Sequence, residues 1–186
     1  PRNVKLWEPL IRTTVERLID RFIRRDGGDW VKLVAAPLPI QVILTILGVP
    51  LDDADYLTEL SDYLVEGTTD RPPLPDSAFG NKTALRLLPF ASPASHAIFE
   101  YAQELGDRRR VEPKSDLVTQ LVLSEVDGKR LSNSEFRNFF HLLMFAGNET
   151  TRTAISHGAL ALANHPEEWH RLTKEPSVVS SATEEI

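Results

Sequence analysis

One uninterrupted stretch, Ser132 to His165, constrains the fold of this chain more than any other. It reads SNSEFRNFFHLLMFAGNETTRTAISHGALALANH and holds no proline. Ser132 and Glu135 have the S-x-x-E spacing of a capping box, in which each side chain satisfies a free backbone N–H at a helix start. His165 precedes Pro166, and the residue before a proline is pushed out of the helical region. The signals predict one helix from about 132 to 165, roughly 48 Å long at 1.5 Å per residue. Phe136, Phe140, Leu143, Gly147, Thr150, Ala154, Gly158 and Ala161 recur at helical spacing. Leu142, Phe145, Ile155 and Leu162 make the opposite side apolar too, so the helix is expected in the interior.

The centre of that helix departs from its flanks. Ala146-Gly147-Asn148-Glu149-Thr150-Thr151 places a glycine, a carboxylate and two hydroxyls where a buried helix should be apolar. Glycine costs about 1 kcal/mol against alanine in a helix interior. A buried carboxylate costs several kcal/mol unless it is paired or solvated. A mid-helix threonine bonds back to a carbonyl one turn earlier. Three unfavourable choices together point to a site. Glu149 and Thr150 are successive and point about 100° apart, whereas Gly147 and Thr150 share a face that Ala146 borders. Small residues there leave room for something flat against the backbone. A hydroxyl facing that object, with a carboxylate turned to one side, suits proton delivery.

The hexapeptide and its surroundings resemble the long distal helix of the cytochrome P450 family, whose hallmark is [AG]-G-x-[DE]-T-[TS]. Ala146-Gly147-Asn148-Glu149-Thr150-Thr151 matches it without departure, and Asn164-His165-Pro166-Glu167-Glu168-Trp169 follows as in that family. The resemblance extends over almost the whole chain and is most detailed with bacterial members that oxidise sterol side chains, terpenoids and branched lipids. It implies a mainly α fold, a single helical region over 1–186 that is the central part of a larger haem domain, built around the distal helix. It implies a monooxygenase that uses haem b, O2 and two electrons from NAD(P)H, delivered by a ferredoxin reductase and a ferredoxin. In that reading Thr150 and Glu149 are catalytic. Ala146, Gly147, Thr150 and Thr151 lie against the haem, and Leu143, Ala146, Tyr63, Leu64, Phe79 and Leu87 contact substrate. Glu185 stands where the family's structural E-x-x-R glutamate stands.

The rest of the chain accords with one helical region. Lys5 to Arg25 carries an apolar stripe of Leu6, Leu10, Ile11, Val15, Leu18, Ile19 and Phe22, stopped at Gly27. Leu38 to Leu47 is a short buried helix ended by Gly48-Val49-Pro50. Asp52 is expected to cap a helix through about Glu66, with Leu57, Leu60 and Leu64 inward. Residues 67–91 include three prolines between Pro72 and Pro75, which exclude helix and central strand. The resemblance makes this stretch a lid over the substrate cavity. Ser92-Pro93 opens the next helix, ending in Arg108-Arg109-Arg110, which reads as a solvated helix end. Ser115 is expected to cap a short helix, Asp127-Gly128 to form a tight turn, and Pro166 to open a helix bearing Trp169 and Leu172. Residues 182–186 look like the start of another.

Composition narrows the class. A net charge of −6 with mixed signs argues against a nucleic-acid surface. No run approaches the roughly 20 apolar residues of a membrane span, and no signal peptide is visible, so a cytoplasmic protein is expected. His165 and His170, five apart, do not share a helical face as metal ligands would. His141 and His157 are too far apart on one helix to share an ion. The chain has no cysteine, whereas the resembled family needs a thiolate on its iron. The sequence therefore reads as the central portion of a longer protein, inactive alone, whose iron ligand lies outside it. Two other readings fit an all-α pattern. One is a non-enzymatic ligand-sensing domain, which leaves Gly147-Asn148-Glu149-Thr150 unexplained; the other is a helical interaction protein with no small ligand, for which a wholly apolar central helix would serve better.

Overall fold

The computed structural model describes residues 4–66 and 92–186. Among them the architecture is almost wholly helical, in the order α1 (Glu8–Arg24), α2 (Pro37–Leu47), α3 (Ala54–Glu66), α4 (Pro93–Val111), α5 (Leu117–Leu123), a two-stranded hairpin, α6 (Asn133–Asn164), α7 (Pro166–Lys174) and α8 (Val179–Glu185). None of the described helices is long and apolar enough to cross a membrane. The expected lid, with Phe79 and Leu87, lies outside the described residues.

α6 is the predicted long helix, and its start forms as the capping box requires. The Ser132 backbone N–H donates to Glu135 Oε2 at 2.8 Å and the Glu135 N–H donates to Ser132 Oγ at 3.2 Å. One side of the first half of α6 packs against α2 and α4. Phe136, Phe140 and Met144 are fully buried in a core shared with Leu44 and Leu47 of α2, Leu57 and Leu60 of α3, and Ile98, Ala102 and Leu105 of α4. The expectation of a helix buried on all sides is corrected: Leu142 in the first half is 51% exposed and Leu160 in the second half is 60% exposed.

The turns follow local chemistry. Gly48 ends α2 in the left-handed conformation at φ 83°, which glycine adopts without a Cβ penalty. Asp127 and Gly128 at φ 51° and 73° join β1 (Glu125–Val126) to β2 (Lys129–Arg130), the two positive angles a right-twisted hairpin needs.

Several expectations are corrected. The first helix does not run unbroken from Lys5: a 3-10 turn spans Val4–Trp7 and Pro9 then opens α1 in its first turn. Of its apolar stripe Leu18 is buried, whereas Leu6 and Ile11 remain exposed. Asp52 does not cap α3 but lies in a 3-10 turn, Leu51–Asp53, ahead of it. The cap of α5 is Asp116, not Ser115, its Oδ1 accepting the Thr119 N–H at 2.8 Å. The last helix begins earlier than expected, at Val179. Arg109 is not part of a solvated helix end. It is 6% exposed, drawn inward by a carboxylate on the next helix that local charge patterning could not reveal.

Candidate functional site

The polar residues at the centre of α6 diverge around the helix axis, as successive residues must. Asn148 points inward and is 3% exposed; its Nδ2 donates to Ser61 Oγ of α3 at 3.0 Å. Thr150 points outward, with Ala146, Thr151 and Ala154 also exposed. Its Oγ1 donates to the Ala146 carbonyl at 2.8 Å, the back-bonding expected of a mid-helix threonine. Gly147 stands at the α2 edge of this face. A β-carbon there would meet Ile43 at 3.6 Å, an ordinary contact, so packing against α2 does not by itself demand glycine.

Glu149 lies round the corner from Thr150. Its side chain is 29% exposed, yet Oε2 is enclosed and accepts no hydrogen bond. Among the described residues its cationic partner is Arg152, whose Nη1 stands 3.8 Å away on the next turn. That same nitrogen donates to Asp62 Oδ1 of α3 at 3.4 Å. Two polar links therefore join α3 to the centre of α6: Ser61 to Asn148 deep in the core, and Asp62 to Arg152 nearer the surface.

The structure brings together Ala146, Thr150 and Thr151 on one exposed band, with Gly147 at its margin and Glu149 beside it. Leu143 is half-buried one turn upstream, packed against the core. Tyr63 and Leu64 are 7% and 4% exposed and belong to the core cluster. Glu185 lies apart, exposed, in a cleft of about 420 Å³ that it shares with Glu168 and Leu172. A larger apolar cavity of about 800 Å³ follows the second half of α6, lined by Trp30, Ile155, Gly158, Leu162, Trp169 and Ile186; of the expected substrate residues, Leu143, Ala146, Tyr63 and Leu64 do not line it. Among the described residues no group of histidine, cysteine, aspartate or glutamate could hold a metal ion. The sequence pointed to none of Arg152, Ser61 and Asp62, and to Asn148 only as a member of the hexapeptide with no role of its own. The i, i+3 spacing of Glu149 and Arg152 was an available signal; the pairing with α3 was not.

The chain spans about two fifths of the length of the curated relatives it matches. It is 33% identical over 94% of its length to the "Steroid C26-monooxygenase" of Mycolicibacterium smegmatis, covering 38% of that protein. It is 36% identical over its whole length to the "Methyl-branched lipid omega-hydroxylase" of Mycobacterium tuberculosis, covering 42% of that protein. The crystal structure of substrate-free CYP109E1 from Bacillus megaterium superposes with a TM-score of 0.81 at 29% identity, over 100% of this chain and 46% of that one. The family profile described as Cytochrome P450 matches residues 90–185, from before α4 through α8. With the site hexapeptide at the middle of α6 and this helical arrangement around it, the chain belongs to the cytochrome P450 family.

Proposed function

We propose that the intact protein is a haem-dependent monooxygenase that hydroxylates an apolar small molecule. Its substrate is of the sterol side-chain, terpenoid or branched-lipid type, and two electrons reach it from NAD(P)H through a ferredoxin reductase and a ferredoxin. The observation that carries this reading is the exposed band of α6, where Thr150 presents its hydroxyl between the small side chains of Ala146 and Ala154. The names of the steroid and branched-lipid relatives support the substrate class.

The residues of this chain fit one face of a haem. Ala146, Thr150 and Ala154 follow one another a turn apart, all exposed, and their small side chains leave a flat strip on which a planar macrocycle can rest. The thiolate ligand comes from outside this sequence, which contains no cysteine. When bound, haem b supplies the activation of O2.

The chain's own residues then divide the remaining work. Ala146 and Gly147 keep side-chain bulk away from the strip. Thr150 Oγ1 is fixed by its bond to the Ala146 carbonyl and positions a hydrogen bond at the reacting centre. Glu149, whose side chain is partly exposed beside this strip, carries protons from solvent toward that hydroxyl.

The test is Thr150→Ala in the intact protein. Haem content and the thiolate-type Soret band of the reduced carbon monoxide complex stay unchanged, while NAD(P)H consumption shifts toward hydrogen peroxide at the expense of hydroxylated product. An unchanged ratio of product to NAD(P)H refutes the role of Thr150. A well-folded intact protein that binds no haem refutes the monooxygenase reading.

A further inference from the structure

We propose that Asp62 is a positioning residue that holds Arg152 off Glu149 and thereby keeps the Glu149 carboxylate free to exchange protons. The inference rests on the reading of Glu149 as a proton carrier.

Glu149 and Arg152 are three residues apart on α6, a spacing at which opposite charges on a helix meet. Here they stand as a long ion pair at 3.8 Å with no hydrogen bond between them. Arg152 Nη1 is 3.8 Å from Glu149 Oε2 but 3.4 Å from Asp62 Oδ1, to which it donates. One guanidinium nitrogen is thus contested by two carboxylates on different helices, and the one on α3 holds it. The result for Glu149 is unusual: Oε2 is shielded from solvent and has no donor.

The neighbouring link explains why α3 wins. Asn148 and Ser61 are bonded at 3.0 Å, 3% and 1% exposed. A buried polar contact of this kind fixes the register of two helices. With Ser61 pinned to Asn148, Asp62 is set beside the turn of α6 that carries Arg152. All three charged side chains are between 22% and 29% exposed, so solvent moderates the interaction without abolishing the competition.

The chemistry follows from the partner. A carboxylate bonded directly to a guanidinium is stabilised in its ionised form and surrenders that stabilisation when it takes up a proton. Without that bond the Glu149 side chain keeps the freedom to rotate between solvent and the Thr150 side of the helix. Asp62 therefore reaches the reaction through Arg152 and without touching the reacting atoms.

The test compares kcat, KM, product formed per NAD(P)H and the solvent deuterium isotope effect in the intact, haem-loaded enzyme. The variants are Asp62→Asn, Asp62→Glu, Arg152→Gln, Glu149→Gln and the Asp62→Asn/Arg152→Gln double variant, each first checked for its carbon monoxide spectrum. Asp62→Asn frees Arg152 to close on Glu149, so kcat falls about tenfold and the isotope effect grows, with KM unchanged. Asp62→Glu, which can still hold the guanidinium, restores most of the rate. In the Arg152→Gln background the Asp62→Asn change has no further effect. An Asp62→Asn enzyme as fast as the parent overturns the inference. An equal slowing by Asp62→Asn with and without Arg152 also overturns it, since that marks a structural role of α3. If Glu149→Gln is slow while Asp62→Asn is not, the inference alone falls. If Glu149→Gln keeps the parent kcat, the proton-carrying reading falls and takes the inference with it.

Discussion

Arg109 donates its Nε–H to Asp116 Oδ2 at 2.6 Å, with both side chains 7% exposed. The pair closes a junction between three helices. Arg109 Nη2 also donates to the Gly48 carbonyl at 2.7 Å at the end of α2, and Asp116 Oδ1 caps α5. A β-carbon on Gly48 would collide with the Asp116 carboxylate, so the glycine answers both to its positive φ and to this contact.

Asp116→Ala leaves Arg109 buried without its counter-charge and strips the cap from α5. Breaking one partner of a buried pair costs about 3–5 kcal/mol. The expected outcome is a large drop in the denaturant midpoint of the intact protein with an unchanged slope. Replacing both partners by well-fitting apolar residues recovers much of the loss; an Asp116→Ala variant as stable as the parent contradicts the burial of the junction.

His141 is 2% exposed, beside Ser95 Oγ at 3.2 Å and the Phe99 ring at 5.1 Å between centroids. Burial pushes its pKa below the ordinary 6.5, because a charged imidazolium loses its hydration there. Between the lowered folded value and 6.5 the unfolded chain binds the proton and the folded chain does not, so stability rises with pH across that window. The His141 contribution is complete above about 6.5 and is lost as pH falls toward the folded value. Urea titrations of the intact protein between these limits should show this slope flattened in His141→Gln. An equal slope in both proteins assigns the acid sensitivity to other groups.

Gly106 of α4 lies against Phe136 of α6. A β-carbon at 106 would stand 2.6 Å from the Phe136 ring, and Phe136 is fully buried. Gly106→Ala therefore overpacks the α4–α6 contact and costs about 1–3 kcal/mol, against the gain in helix propensity. Thermal unfolding of the intact protein reads the net sign, and Phe136→Leu in the same background should return part of the loss. A stabilised Gly106→Ala variant refutes the close approach.

What could be read from the sequence was what is decided within one turn of chain. Ser132 and Glu135 satisfy each other's neighbourhood whatever surrounds them, and Gly48, Asp127 and Gly128 need only their own backbone angles. The divergence of Glu149 from Thr150 follows from helix geometry alone. Arg109, by contrast, looked like one of three solvated arginines because Asp116 reaches it only after α4 and α5 have folded back on each other. Asp62 was invisible for the same reason, lying 90 residues from Arg152. Ser115 and Asp116 are both competent caps, and the choice between them was made by Arg109. The expected substrate contacts divide: Tyr63 and Leu64 lie in the core, and Phe79 and Leu87 lie outside the described residues.

The bond from Thr150 Oγ1 to the Ala146 carbonyl has a consequence for what this turn can recognise. A hydroxyl has a single hydrogen and two lone pairs, and here the hydrogen is already given to the helix. The outward side of the Thr150 oxygen is therefore electron-rich. A group arriving on that face first meets an acceptor, and one that carries its own O–H or N–H is welcomed without any rearrangement. A bare anion gains nothing until the hydroxyl rotates away from the carbonyl. The turn thus discriminates by the polarity of the hydrogen bond it offers, before shape or size is sensed.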